Sequence, residues 1–132
     1  MSWGYEPREY GAFSDQLASL PPDIQLLIIE AIQTRLRIDP CSEKDPVRSK
    51  MLRGELYCIR RIHVTDEIVV AYTVCDDCRS RSCVKKLQCF YCFEEPPWRV
   101  KLLACGPWTG FYNELNSHWK TWINTVTRAR EA

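Results

Sequence analysis

The chain has 132 residues, 45% hydrophobic and 27% charged, with a formal net charge of +1. That length suits one globular domain, and the near-neutral balance excludes a chain that finds nucleic acid by bulk charge alone, though not one with a locally basic face. No apolar run approaches the roughly 20 residues that span a bilayer. No secretory leader opens the sequence, so its eight cysteines point to reduced thiols or metal and to a cytoplasmic setting.

Residues 1–9 are aromatic and charged without a clear period, and at most a short edge strand near Trp3–Tyr5 is expected. Tyr10, Phe13, Leu17 and Leu20 then recur at helical spacing. Pro21 stops that helix, and Pro22 suits the first turn of the next, with Asp23 at its positive end. Ile24, Ile28, Ile32 and Leu36 form one stripe of the second helix, with Leu27 and Ala31 beside it, and the helix should stop before Pro40. Leu26 and Ile29 lie off the stripe and belong either to a broad buried face or to a partner surface. The pattern predicts an antiparallel helical hairpin.

Residues 39–50 are polar, contain Pro40 and Pro46, and are expected to form a loop. Three strands are predicted over Tyr57–Thr65, Glu67–Val74 and Trp98–Cys105. In the first, Leu56, Cys58, Ile62 and Val64 alternate with Tyr57, Ile59, Arg61 and His63, which puts Arg61 and His63 together on the open face. The second is apolar enough to be central. In the third, Arg99, Lys101, Leu103 and Cys105 should share a face, and Gly106-Pro107 should end it. A last helix is expected over about Phe111–Arg130, with Phe111, Leu115, Trp119, Trp122 and Val126 on one side. The predicted fold class is α+β, a helical hairpin on a small antiparallel sheet with a closing C-terminal helix. The chain reads as one domain, 1–132, with residues 75–97 as a cysteine-rich insertion between two strands.

Five of the eight cysteines fall within residues 75–92. Cys75-Asp-Asp-Cys78 and Cys89-Phe-Tyr-Cys92 stand ten residues apart, a spacing that wraps a tetrahedral Zn²⁺ at a hairpin tip. Four thiolates leave no position for water, so Cys75, Cys78, Cys89 and Cys92 would make a structural site that closes a loop with little apolar content. Cys83 is a spare, and disulfides or free thiols are the other reading. Between the pairs lie Arg79, Arg81, Lys85 and Lys86, four positive charges that can meet RNA phosphate. Asp76, Asp77, Glu94 and Glu95 flank them, and a plain solvated loop accounts for the segment too. Cys41, Cys58 and Cys105 are scattered, and Cys58 and Cys105, in strands, read as small core hydrophobes.

The order of elements resembles the RelE/ParE toxins. The run from Phe13 through Leu20-Pro21-Pro22 to Asp39-Pro40 resembles their helical hairpin. Met51-Leu-Arg53-Gly-Glu-Leu-Tyr-Cys-Ile-Arg60-Arg61-Ile resembles their leucine–basic–glycine approach to a strand with basic residues. Asp66–Val74, and Val100-Lys101-Leu-Leu-Ala-Cys-Gly106 with Phe111-Tyr112-Asn-Glu-Leu, resemble the following strand, the last strand and its glycine–aromatic tail. The resemblance covers about residues 10–74 and 98–116.

It implies a toxin of a toxin–antitoxin pair. The cleaving members cut mRNA at the ribosome without metal, using basic and aromatic side chains on the open sheet face while the 2′-hydroxyl attacks. A ParE-like branch poisons DNA gyrase instead. The implied catalytic residues are Arg60 or Arg61, with Arg61 preferred for its face, His63, and Tyr112 in the tail. Arg53 and Lys101 would contact nucleic acid, beside the Arg81, Lys85 and Lys86 that the charge pattern of the cysteine-rich segment already offers, and Arg99 and Lys101 would partly replace charges the family carries elsewhere. The implied partners are a cognate antitoxin, contacting about Phe111–Arg130, and the ribosome with its mRNA. Two departures stand out: the apolar Ile68-Val-Val-Ala71 where cleaving members carry another arginine, and Pro107-Trp108-Thr109 where they carry a basic residue. They leave two other readings in view: a non-catalytic toxin or binding domain directed at gyrase or nucleic acid, and a structural zinc-hairpin interaction module.

Overall fold

The computed structural model describes residues 4–10, 13–42, 49–52, 59–80 and 96–107. The predicted last helix, Tyr112, Arg53, Arg81, Lys85, Lys86, Cys58, Cys83, Cys89 and Cys92 lie outside the described residues.

Helix α1 (Phe13–Ala18) is shorter than its apolar period suggested, because Tyr10 is not part of it. The Tyr10 N–H bonds the Leu102 carbonyl at 2.8 Å and so continues a strand instead. At the Leu20-Pro21-Pro22 turn the Gln25 amide donates to the Leu20 carbonyl at 2.7 Å, satisfying an acceptor that the end of α1 leaves over. Helix α2 (Pro22–Ala31) starts with proline in its first turn. It continues through a wider turn, Ile32–Leu36, in which the Arg37 N–H reaches back to the Ile32 carbonyl. The predicted stripe is the buried one: Ile28, Ala31, Ile32 and Leu36 enter the core, with Ile24 against it. Leu26, Leu27 and Ile29 are exposed, which removes the broad buried face as an explanation for Leu26 and Ile29.

The sheet has five strands in the order β1-β5-β4-β3-β2: β1 (Glu6–Glu9), β2 (Ser49–Met51), β3 (Arg60–His63), β4 (Ile68–Val74) and β5 (Arg99–Pro107). Three pairings are antiparallel, but β1 runs parallel to β5, so the sheet is mixed rather than purely antiparallel. Strand β1 lies at 6–9 rather than 3–5, and β2 falls at the end of the segment expected to be a loop. Pairing with a neighbour, which local sequence does not encode, creates both edge strands. Strand β4 is buried along its whole length, as its apolar run predicted for a central strand.

The sheet separates two cores. On the helix side Phe13, Ile28, Leu36, Ile62, Val70, Tyr72, Val100 and Leu102 pack together. On the other side Leu52, Ile59, Val69, Ala71, Leu103 and Ala104 form a second cluster, with Tyr10 against it. The register between β4 and β5 slips at Ala71/Tyr72, since Ala71 pairs with Ala104 while Tyr72 pairs with Leu102. This bulge places Leu103 and Ala104 successively on the second side and turns Cys105 to the helix side, so Cys105 does not share the Lys101 face as simple alternation predicted.

Candidate nucleic-acid interface

Strand alternation assigns opposite duties to two neighbouring arginines. Arg60 shares its side with Ile62 and the helix-side core. Its side chain is 3% exposed, and its Nε–H donates to Asp77 Oδ2 at 3.0 Å, with a longer Nη2–Oδ1 contact of 3.4 Å. A further contact from Nη1 reaches the Cys41 carbonyl at 3.4 Å. Burial works to lower the Arg60 pKa, but the Asp77 hydrogen bond and charge more than offset it, and the guanidinium stays protonated. Arg60 is thus committed to a buried ion pair, on the side of the sheet away from Arg61.

Arg61 and His63 occupy the second side with Ile59, as the alternation predicted. Arg61 pairs with Ala71 and His63 with Val69, both small or β-branched, which leaves room above β4 for long side chains. His63 Nδ1 lies 3.3 Å from the Thr65 carbonyl, and the His63 carbonyl accepts from Arg35 Nη1 at 2.9 Å. Lys101 stands opposite Thr73 on β5, on the same side. Its ammonium is 5.4 Å from the centre of the Tyr10 ring, within cation–π range. With strands ~4.8 Å apart and residues rising ~3.4 Å, Arg61 and Lys101 are two strands across and two residues along, roughly 10–12 Å between backbones. Long side chains can converge on one phosphodiester group across that gap.

This side is not open as expected. Arg61 is 4% exposed and Lys101 0%, while His63 is half-buried. The reason is compositional: Ile59, Val69, Ala71, Leu103 and Ala104 make the side apolar around its charges, and an apolar sheet face demands cover. The run Ile68-Val-Val-Ala71 serves both cores at once.

The first two candidate metal ligands lie in helix α3 (Cys75–Ser80), which follows β4 directly. Cys75 and Cys78 are both fully buried and three residues apart in one helical turn, so they fall on one side of it. That arrangement fits half of a tetrathiolate zinc site. Among the described residues no three possible ligands converge, and the other half of the predicted set, Cys89 and Cys92, lies outside them.

Sequence reasoning did not find Asp77 as the partner of Arg60, nor Tyr10 beneath Lys101. The available signal was Arg60's parity with Ile62, which put a charge in a core that had to supply an acid. A cavity of ≈ 220 Å³ also opens between β1 and α2, floored by Phe13, Leu17, Ile32 and Leu102 and edged by exposed Ile29.

A helical hairpin on a mixed sheet, with cations gathered on the side away from α1 and α2, defines a small α+β class of known architecture. The chain is similar in structure to a chain of the toxin–antitoxin complex RelBE2 from Mycobacterium tuberculosis, with a TM-score of 0.52 and 16% identity, covering 79% of this chain and 98% of that one. The solution structures of the conserved hypothetical proteins HP0894 and HP0892 from Helicobacter pylori match with TM-scores of 0.48 and 0.44, identities of 14% and 10%, 80% and 81% of this chain covered, and 96% and 98% of theirs. No protein-family model matches this sequence, and no curated protein does. The likeness to the RelBE2 chain establishes that the fold is the one the RelE/ParE resemblance implied.

Proposed function

We infer that this protein is the toxin of a toxin–antitoxin pair and acts as a metal-independent endoribonuclease on mRNA at the ribosome. The observation that carries this reading is the placement of Arg61, His63 and Lys101 on one side of a sheet of RelE/ParE type. Arg61 would grip the scissile phosphate bidentately. An imidazole can exchange a proton near neutral pH, and that of His63 would take the 2′-hydroxyl proton as the 2′-oxygen attacks phosphorus. The P–O5′ bond then breaks, the 5′-oxygen takes a proton from water, and a 2′,3′-cyclic phosphate remains. Lys101 would add positive charge as negative charge develops on the phosphate. Because Arg61 and Lys101 are enclosed, the reading requires that the groups covering them yield to RNA. Tyr112 and Arg53 remain proposed contacts on the strength of the resemblance, and Arg81, Lys85 and Lys86 on the charge they carry between the two cysteine pairs.

A cognate antitoxin is the proposed partner, and exposed Leu26 and Ile29 supply apolar surface of the kind a partner covers. Cys75, Cys78, Cys89 and Cys92 are proposed to hold structural Zn²⁺, which would close the insertion and take no part in cleavage. Metal analysis of purified protein should give one zinc per chain, lost in Cys75→Ser.

The decisive experiment is primer extension on mRNA from translating extracts. Ribosome-dependent cuts should appear with the wild type and fall about 10²-fold or more with Arg61→Ala. Equal cutting by both would remove Arg61 from the site. The missing arginine on β4 favours one second reading, a non-catalytic toxin, which growth arrest with intact mRNA would select.

A further inference from the structure

The Arg60–Asp77 pair joins two parts of the chain that the sequence presents as unrelated. Asp77 lies between Cys75 and Cys78, at the root of the cysteine-rich segment. Arg60 begins the four-residue strand that carries Arg61 and His63. The pair is buried on both sides, 3% and 9% exposed, where water does not compete with its hydrogen bonds. The far end of β3 is held separately, by Arg35 from beyond α2 on the His63 carbonyl. One flank of β3 pairs with the long strand β4, and the other, among the described residues, with the three residues of β2, continued by the Leu52 N–H on the Ile59 carbonyl at 2.8 Å. The Asp77 and Arg35 contacts thus hold β3 at its two ends, on either side of Arg61.

We propose that Asp77 is a positioning residue. By fixing the Arg60 guanidinium on the helix side of the sheet, it sets the backbone of β3 and so the placement of Arg61 on the opposite side. The root of the insertion is therefore a working part of the reactive sheet. The inference rests on the proposed function for its catalytic consequence, but not for its structural one.

Two measurements on the full chain separate those consequences. Backbone amide exchange should show faster exchange across Arg60–His63 in Asp77→Asn, exceeding any acceleration of the β5 amides by about tenfold or more. Asp77→Glu, which keeps the charge, should restore most of the protection. Unchanged exchange in β3, or equal acceleration throughout the sheet, would overturn the proposal whatever the protein's activity. In ribosome-dependent cleavage, Asp77→Asn should lower kcat about 10–10²-fold with KM for programmed ribosomes within about twofold and the pH profile unshifted. Asp77→Glu should recover part of the rate. Local exchange without any change in kcat would overturn the positioning role. A wild type that cuts no RNA would instead fell the functional reading, and the exchange result would still decide the clamp.

Discussion

The two sides of the sheet handle the same residue type in opposite ways. On the helix side Arg60 is neutralised by a buried carboxylate and works as packing with charge. On the other side Arg61 and Lys101 lie among aliphatic residues, Lys101 over an aromatic ring. A buried cation matched by an acid is a structural feature, whereas the cations of the second side are the ones proposed to meet an anionic substrate. One peptide unit separates these roles, and the two-residue period of the strand alone decides which arginine takes which.

The largest test of the comparison is Arg60→Ala, which strips Asp77 of its partner and should lower unfolding stability by about 3–5 kcal/mol in denaturant titration. Replacing both members, Arg60→Met with Asp77→Leu, should bring stability back to within about 1 kcal/mol of the wild type, because packing substitutes for the pair. If the double variant stays as unstable as the single, Arg60 does more on the helix side than balance Asp77.

Alkali probes the helix side next. Burial pushes the Cys41 thiol up to about 11 and the Cys105 thiol up to about 12, against an ordinary 9.0. Both are held protonated in the fold, so the stability they supply is whole below pH 9 and is lost as pH rises towards 11–12. The unfolding free energy measured from pH 8 to 10.5 should fall by about 1–2 kcal/mol per pH unit above 9, and Cys105→Ala should flatten the slope.

Tyr72 gives a smaller effect. Its hydroxyl donates to the Pro40 carbonyl at 2.6 Å in the helix-side core. Tyr72→Phe should cost about 1–2 kcal/mol by leaving that acceptor unmet. Smallest of all, Leu26→Ser should shift stability by less than about 0.5 kcal/mol, since Leu26 is 67% exposed. A larger loss would mean that the outer surface of α2 supports the fold.

Much of this architecture was legible beforehand, and the reasons are specific. The Ile28/Ile32/Leu36 stripe, the proline-marked hairpin and the apolar β4 carry strong periodic signals and lie where predicted. Alternation placed Arg61 with His63. It failed at Cys105 because a bulge breaks the period, and nothing in the residues around Leu103 announces one. The edge strands were hidden because Glu6–Glu9 and Ser49–Met51 have no apolar rhythm and become strands only through pairing. The enclosure of Arg61 and Lys101 was missed because charged residues were taken as markers of an exposed surface, while the aliphatic residues around them required cover.

The parallel pairing of β1 with β5 bears on how the chain is made. Glu6 meets Arg99 across the ladder, so the first strand to leave the ribosome waits for about ninety further residues before its neighbour exists. At ordinary synthesis speeds that delay is on the order of 5–20 seconds. Through that interval neither β1 nor the central β4 has its β5 partner, so a nascent chain stalled before Arg99 cannot assemble the surface that carries Arg61.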